Sequence, residues 1–132
     1  MTDGDTATVT EGETVTFERT FDHEDVAQFV EVSEDEGSHH LEPDDEGRLL
    51  VHGLLTATLP TKVGGAHDVL ASRMEFEFHR PVWTGETVRC AVTFTRVERD
   101  EARDQRRVAA TFDCTREGET VLSGRFEGVI RD

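Results

Sequence analysis

The stretch L-V-H-G-L-L-T-A-T-L-P-T-K-V-G-G, Leu50 to Gly65, decides the fold. Leu54, Leu55, Ala57, Leu59 and Val63 leave it apolar on most sides, and a helix with so little polar surface has to be enclosed by the rest of the chain. Pro60 lacks a backbone N–H, so the helix is expected to kink or stop there, with Gly64-Gly65 closing it. What encloses it is read from the two flanks. Upstream, Val15, Phe17 and Phe21 alternate with polar neighbours over Thr14 to Phe21, which predicts a half-buried strand. Asp22 then has the character of a helix N-cap, with Glu24 and Asp25 in the first turn, and Val26, Phe29 and Val30 form the buried stripe of a short helix ending near Ser33. Glu34 to Gly47 is dense in charge, Gly and Pro, and is expected to be an irregular loop.

Downstream of Asp68 the period changes to two. Met74, Phe76 and Phe78 share one face opposite Glu75 and Glu77, and are expected to be ordinary sheet core. Pro81 and Gly85 lead into Val88, Cys90, Val92 and Phe94. A charged turn from Glu98 to Gln105 precedes Val108, Ala110, Phe112 and Cys114, and Glu117-Gly118 is a hairpin turn before Val121 to Ile130. The expected architecture is α+β, an antiparallel sheet of about five strands wrapped around a central helix, in one domain spanning 1–132. Residues 1–12, polar and without period, are expected to be a loose acidic leader.

Composition narrows the function. A chain of 132 residues has room for one domain with a real core. Its 29 acidic and 14 basic residues give a formal net charge of -15, which disfavours nucleic-acid phosphates and anionic lipid as partners. No apolar run approaches the ~20 residues of a membrane span. The first residues show neither a basic start nor an apolar stretch, so cytoplasmic residence is expected. Lys62 is the single lysine against 13 arginines, and hydrophobic residues make up 35%; the combination resembles the acidic proteomes of salt-in haloarchaea. Cys90 and Cys114 fall in separate strand-like segments without a metal or redox spacing, and read as buried free thiols.

Three further segments accompany the Leu50–Thr58 element: S-E-D-E-G-S-H-H-L-E-P at Ser33 to Pro43, F-E-F-H-R-P-V at Phe76 to Val82, and G-E-T-V at Gly85 to Val88. In this order they resemble the MaoC-like, (R)-specific enoyl-CoA hydratases of the hot-dog fold, with their D-x-N-P-x-H motif, H-G helix start and R-P-V strand end. The resemblance covers about Val15 to Ile130. It implies Asp35 and His40 as the acid–base pair, in the register fixed by Leu41-Glu42-Pro43, and the Gly53 N–H as the donor to the thioester oxygen. Arg80, His52 and Ser38 stand as candidate substrate-binding residues, with His52 alternatively a structural residue whose ring bonds a nearby backbone group, and some of Arg48, Arg73 and Arg80 as candidates for the CoA phosphates. The family's Asn-Pro is Gly37-Ser38 here, a looser turn, and two connections around the central helix are shorter.

The chemistry wants these residue types together. Hydrating a trans-2-enoyl thioester removes a proton from water as it attacks C3 and delivers one to C2, so a base and an acid share a small site. Negative charge gathers meanwhile on the thioester oxygen, where a backbone N–H stabilises it. The resemblance therefore implies a hydratase or dehydratase interconverting trans-2-enoyl-CoA and (R)-3-hydroxyacyl-CoA. It implies no cofactor beyond the CoA thioester substrate and no metal, since His39-His40 with Glu42 or Asp44 makes no recognised ligand spacing. Family members pair, so at least a homodimer is expected. A hot-dog acyl-CoA thioesterase and a non-catalytic acyl-CoA binding or assembly subunit are the alternative readings.

Overall fold

The computed structural model describes residues 9–131. Five strands form one antiparallel sheet in the order β1-β3-β4-β5-β2, with β1 at Thr14–Thr20, β2 at Leu70–Phe78, β3 at Thr87–Asp100, β4 at Gln105–Arg116 and β5 at Glu119–Arg131. Four helical segments lie in the first half of the chain: α1 at His23–Ser33, α2 at Ser38–Leu41, α3 at Gly53–Thr56 and α4 at Thr58–Ala66. The α+β architecture expected from the alternation of periods is the one observed.

The local signals act where they stand. Asp22 caps α1 through a reciprocal box, its carboxylate accepting from the Asp25 N–H at 2.8 Å while Asp25 accepts from the Asp22 N–H at 3.0 Å. Glu117 and Gly118, both at positive φ, make the two-residue turn that joins β4 to β5. Val88, Cys90, Val92 and Phe94 of β3 and Val108, Ala110, Phe112 and Cys114 of β4 point into one core with Leu55, Leu59 and Val63 of the central helix.

Five expectations are corrected. The central helix breaks at Ala57, between α3 and α4, one turn before Pro60. A proline ring collides with the carbonyl four residues back, here that of Thr56, so the break falls upstream of the proline itself. Gly64 and Gly65 do not close the helix but lie within α4, which ends at Ala66, is capped by His67 and turns through Asp68 at positive φ. The loop from Glu34 to Gly47 contains α2, whose last turn holds His39 and His40.

Met74, Phe76 and Phe78 are not ordinary core, because β2 is the sheet's edge: Met74 is 38% exposed, Phe78 54%, and only Phe76 packs partly against the core. Of the predicted leader, residues 1–8 lie outside the described residues, while Val9 is buried and the Gly12 N–H donates to the Phe94 carbonyl at 2.7 Å. That part of the leader is anchored on the sheet.

Candidate active site

A short extended segment, Leu49 to Val51, ties the site together before the central helix begins. Leu50 N–H donates to the His39 carbonyl at 3.0 Å, Val51 N–H to the Val82 carbonyl at 2.8 Å, and Thr84 N–H to the Leu49 carbonyl at 2.9 Å. The segment thus clamps α2 on one side and the connection after β2 on the other. His40, Gly53 and Arg80, distant in sequence, meet at one cavity of about 370 Å³. Its wall also includes His39, Phe78 and His79.

His40 is buried, and its Nδ1 donates to the Leu50 carbonyl at 2.6 Å. A carbonyl only accepts, so Nδ1 carries a proton, and Nε2 is the nitrogen left to exchange one. That nitrogen lies 3.8 Å from Oδ2 of Asp35, whose carboxylate is exposed. The separation is too long for a direct hydrogen bond, yet a single water oxygen can sit about 2.8 Å from both atoms. Gly53, the first residue of α3, is exposed at the cavity. Its N–H has no partner inside the helix, as the first four of any helix do not.

The structure therefore brings His40 and the predicted donor Gly53 to one cavity and sets Asp35 3.8 Å from His40, outside the residues that line it. It separates the binding candidates. Arg80 lines the cavity, with Nη1 donating to the Thr120 carbonyl at 2.7 Å and Nε 3.8 Å from Glu119. Ser38 is exposed at the start of α2 and does not line the cavity, and His52 is buried behind His40. Neither stands at the substrate cavity; His52 instead takes its alternative reading, its ring bonding the Asp35 backbone carbonyl at 3.1 Å. Arg48 is held by Asp44 at 2.9 Å, Glu46 at 3.3 Å and Glu86 at 3.9 Å, and Arg73 by Glu75 at 2.7 Å. Neither lines the cavity.

Asp35, His40 and His52 hold potential ligand atoms within 4.8 Å of one another, which raises the question of a metal. The ring geometry does not suit one. His40 and His52 stack with centroids 3.6 Å apart and planes 13° from parallel. An imidazole lone pair lies in its ring plane, so an ion bound by both rings would have to lie in two near-parallel planes at once.

Phe78 and His79 escaped the sequence reading. Phe78 was assigned to the core by its alternation, but it is the last residue of β2 and its ring lies against Gly53. His79 donates to or accepts from the Ser123 hydroxyl at 2.7 Å. The signal that could have found them is position: three consecutive residues, Phe78, His79 and Arg80, leave a strand end just before Pro81, where alternation no longer governs direction.

No protein-family model matches the sequence, and no curated protein matches it. Solved structures do. An (R)-hydratase from A. caviae involved in PHA biosynthesis superposes with a TM-score of 0.77 at 23% identity, covering 94% of this chain and 98% of that one. A protein from Archaeoglobus fulgidus gives 0.77 at 24% identity over 96% of this chain and 81% of that one. A MaoC-like dehydratase from Rhodospirillum rubrum gives 0.70 at 15% identity over 93% of each chain. The chain has the hot-dog fold of the (R)-hydratases and MaoC-like dehydratases.

Proposed function

We propose that this protein is a hydratase or dehydratase that interconverts a trans-2-enoyl-CoA and the corresponding (R)-3-hydroxyacyl-CoA. The observation that carries the reading is the His40 tautomer. With Nδ1–H tied to the Leu50 carbonyl, the free Nε2 lone pair faces the Asp35 carboxylate across 3.8 Å, beside the exposed start of α3. A water held between these two groups passes a proton to Nε2 as its oxygen attacks C3. The π electrons move onto the thioester oxygen, which accepts from the Gly53 N–H, and C2 then takes a proton from the acid form of the pair. Water's two hydrogens and one oxygen are thereby distributed over C2 and C3, and the pair returns to its starting state. Dehydration runs the same steps backwards.

Of Arg48, Arg73 and Arg80, Arg80 alone lines the cavity, which supports it as the one that meets a CoA phosphate. A second, apolar cavity of about 130 Å³ between α4 and β2, lined by Pro60, Gly64, Met74 and Phe126 among others, suits an acyl tail. The exposed edge of β2, with Leu70 57% and Phe78 54% accessible, supports pairing with a second copy of the chain. Light scattering of the purified protein tests that homodimer.

The reaction is tested with crotonyl-CoA. The wild type is expected to hydrate it, and Asp35→Asn and His40→Gln to lose about 10²–10⁴-fold in turnover while keeping their circular dichroism. Wild-type turnover in both variants overturns the mechanism. Release of free thiol from a saturated acyl-CoA would assign a thioesterase instead, and binding without turnover a non-catalytic subunit.

A further inference from the structure

His52 is used by none of the steps above, yet it is among the most enclosed polar side chains of the protein. It is 2% exposed, and its Nδ1 is buried without a hydrogen-bond partner. A buried polar atom left unsatisfied calls for a reason. The ring makes two contacts that supply one. Its Nε2 lies 3.1 Å from the backbone carbonyl of Asp35, and its face stacks on His40. Since the carbonyl can only accept, Nε2 bears the proton, and a bare Nδ1 is what that tautomer leaves behind. The Phe29 ring, 4.9 Å away, packs against the same imidazole.

The turn carrying Asp35 has little else to hold it. Glu34 N–H bonds to the Val30 carbonyl, Asp35 N–H to the Ser33 hydroxyl and Gly37 N–H to the Asp35 carboxylate, all within four residues. Gly37, with no Cβ, adds no stiffness of its own to the turn. The bond from His52, by contrast, reaches across seventeen residues from the cap of α3.

We propose that His52 is a positioning residue: its Nε2–H pins the Asp35 backbone to the start of the central helix while its ring face sets the plane of His40, so that one side chain holds the spacing of both members of the pair. The naming of that pair as catalytic rests on the proposed hydratase reading; the pinning itself does not.

Two variants divide the contacts. His52→Gln keeps a donor near the Nε2 position and loses the stacked ring, whereas His52→Phe keeps a ring and loses the donor. In crotonyl-CoA hydration, His52→Phe is expected to lower kcat by about 10–100-fold with KM changed less than about twofold, because His52 does not line the cavity. His52→Gln is expected to recover at least part of that loss. Amide hydrogen exchange at Glu36 and Gly37 is expected to accelerate at least tenfold in His52→Phe and less in His52→Gln. In the wild type, long-range ¹H–¹⁵N spectra are expected to show His52 as the Nε2–H tautomer and His40 as the Nδ1–H tautomer. A His52 Nδ1–H tautomer, unchanged exchange in His52→Phe, or a loss carried by KM overturns the proposal. The spectra and the exchange decide it even if the wild type hydrates nothing, in which case the hydratase reading alone fails.

Discussion

Replacing Gly53 by alanine separates what the start of the central helix does for folding from what it does for chemistry. A Cβ at Gly53 would meet the Phe78 ring at 2.8 Å from Cε1, 3.0 Å from Cδ1 and 3.3 Å from Cζ. Ordinary carbon–carbon contacts lie near 3.5–4.0 Å, so the ring or the helix start has to give by about 1 Å. Phe78 is 54% exposed, which lets the ring swing, but the ring is part of the cavity wall. If instead the helix start retreats, the N–H moves by a similar amount. A misplacement of about 1 Å costs on the order of 10²-fold in rate, and loss of one oxyanion donor about 10²–10³-fold. Gly53→Ala is therefore expected to lose roughly 10²-fold in kcat/KM, about 2.7 kcal/mol of transition-state stabilisation. Folding is expected to move the other way. Alanine is the better helix former by up to ~1 kcal/mol, so the melting temperature should hold or rise. The assay is the loss of enoyl absorbance of crotonyl-CoA alongside a thermal melt, with the double variant Gly53→Ala/Phe78→Ala included to remove the clash. Wild-type kcat/KM in Gly53→Ala would refute the reasoning. A loss matched by a fall in melting temperature would refute the separation of roles.

Gly124→Ala should unseat β2, since its Cβ would lie 1.9 Å from the Glu75 carbonyl oxygen, a backbone atom that cannot turn aside; a loss near the top of the ~1–3 kcal/mol range for overpacking is expected by denaturant unfolding, against none in the open-space control Gly65→Ala. The Asp22 carboxyl is held below the usual aspartate value by the Asp25 backbone N–H, so its contribution to stability is present above about pH 4 and is lost as pH falls through the folded value. Asp22→Asn should therefore melt with a shallower acid dependence than the wild type, and identical acid limbs would contradict the cap's titration. With a net charge of -15, unfolding midpoints should rise steadily between 0.1 M and molar KCl as the Debye length shortens from ~10 to ~3 Å; a midpoint indifferent to salt would remove the case for a salt-adapted shell.

The features that were legible in the sequence are those whose cause is local. Asp22 caps a helix because its side chain reaches an N–H three residues on, and Glu117-Gly118 turns a hairpin because both residues accept positive φ. The helix break was legible in kind but displaced, since Pro60 acts on the carbonyl of Thr56 rather than on its own position. Periodicity placed Met74, Phe76 and Phe78 on one face but is blind to what covers that face. The cover depends on β2 pairing with β5, the last strand in the chain, and having no strand on its other side. The same limit applies to the site. Asp35 and His40 lie five residues apart in a recognisable motif, whereas the bond from His52 to the Asp35 carbonyl and the placement of His79 beside Ser123 are long-range contacts with no local pattern.

Net charge is the property most misleading when read as an average. Of 132 residues 29 are acidic, about one in five, yet none of the described residues lining the main cavity is a carboxylate. His39, His40, His79 and Arg80 stand there instead, with the uncharged walls of Leu50, Val51 and Val82. The lining itself therefore carries no carboxylate against an anionic ligand, while Asp35 and Glu119 stand at its edge, each 3.8 Å from a lining side chain. Asp35 stands just outside this lining, 3.8 Å from His40 Nε2, where in the proposed reaction it holds the attacking water together with His40. The average of -15 disfavours polyanions that contact a broad surface, whereas the acyl-CoA of the proposed reaction would encounter the local charge of this lining.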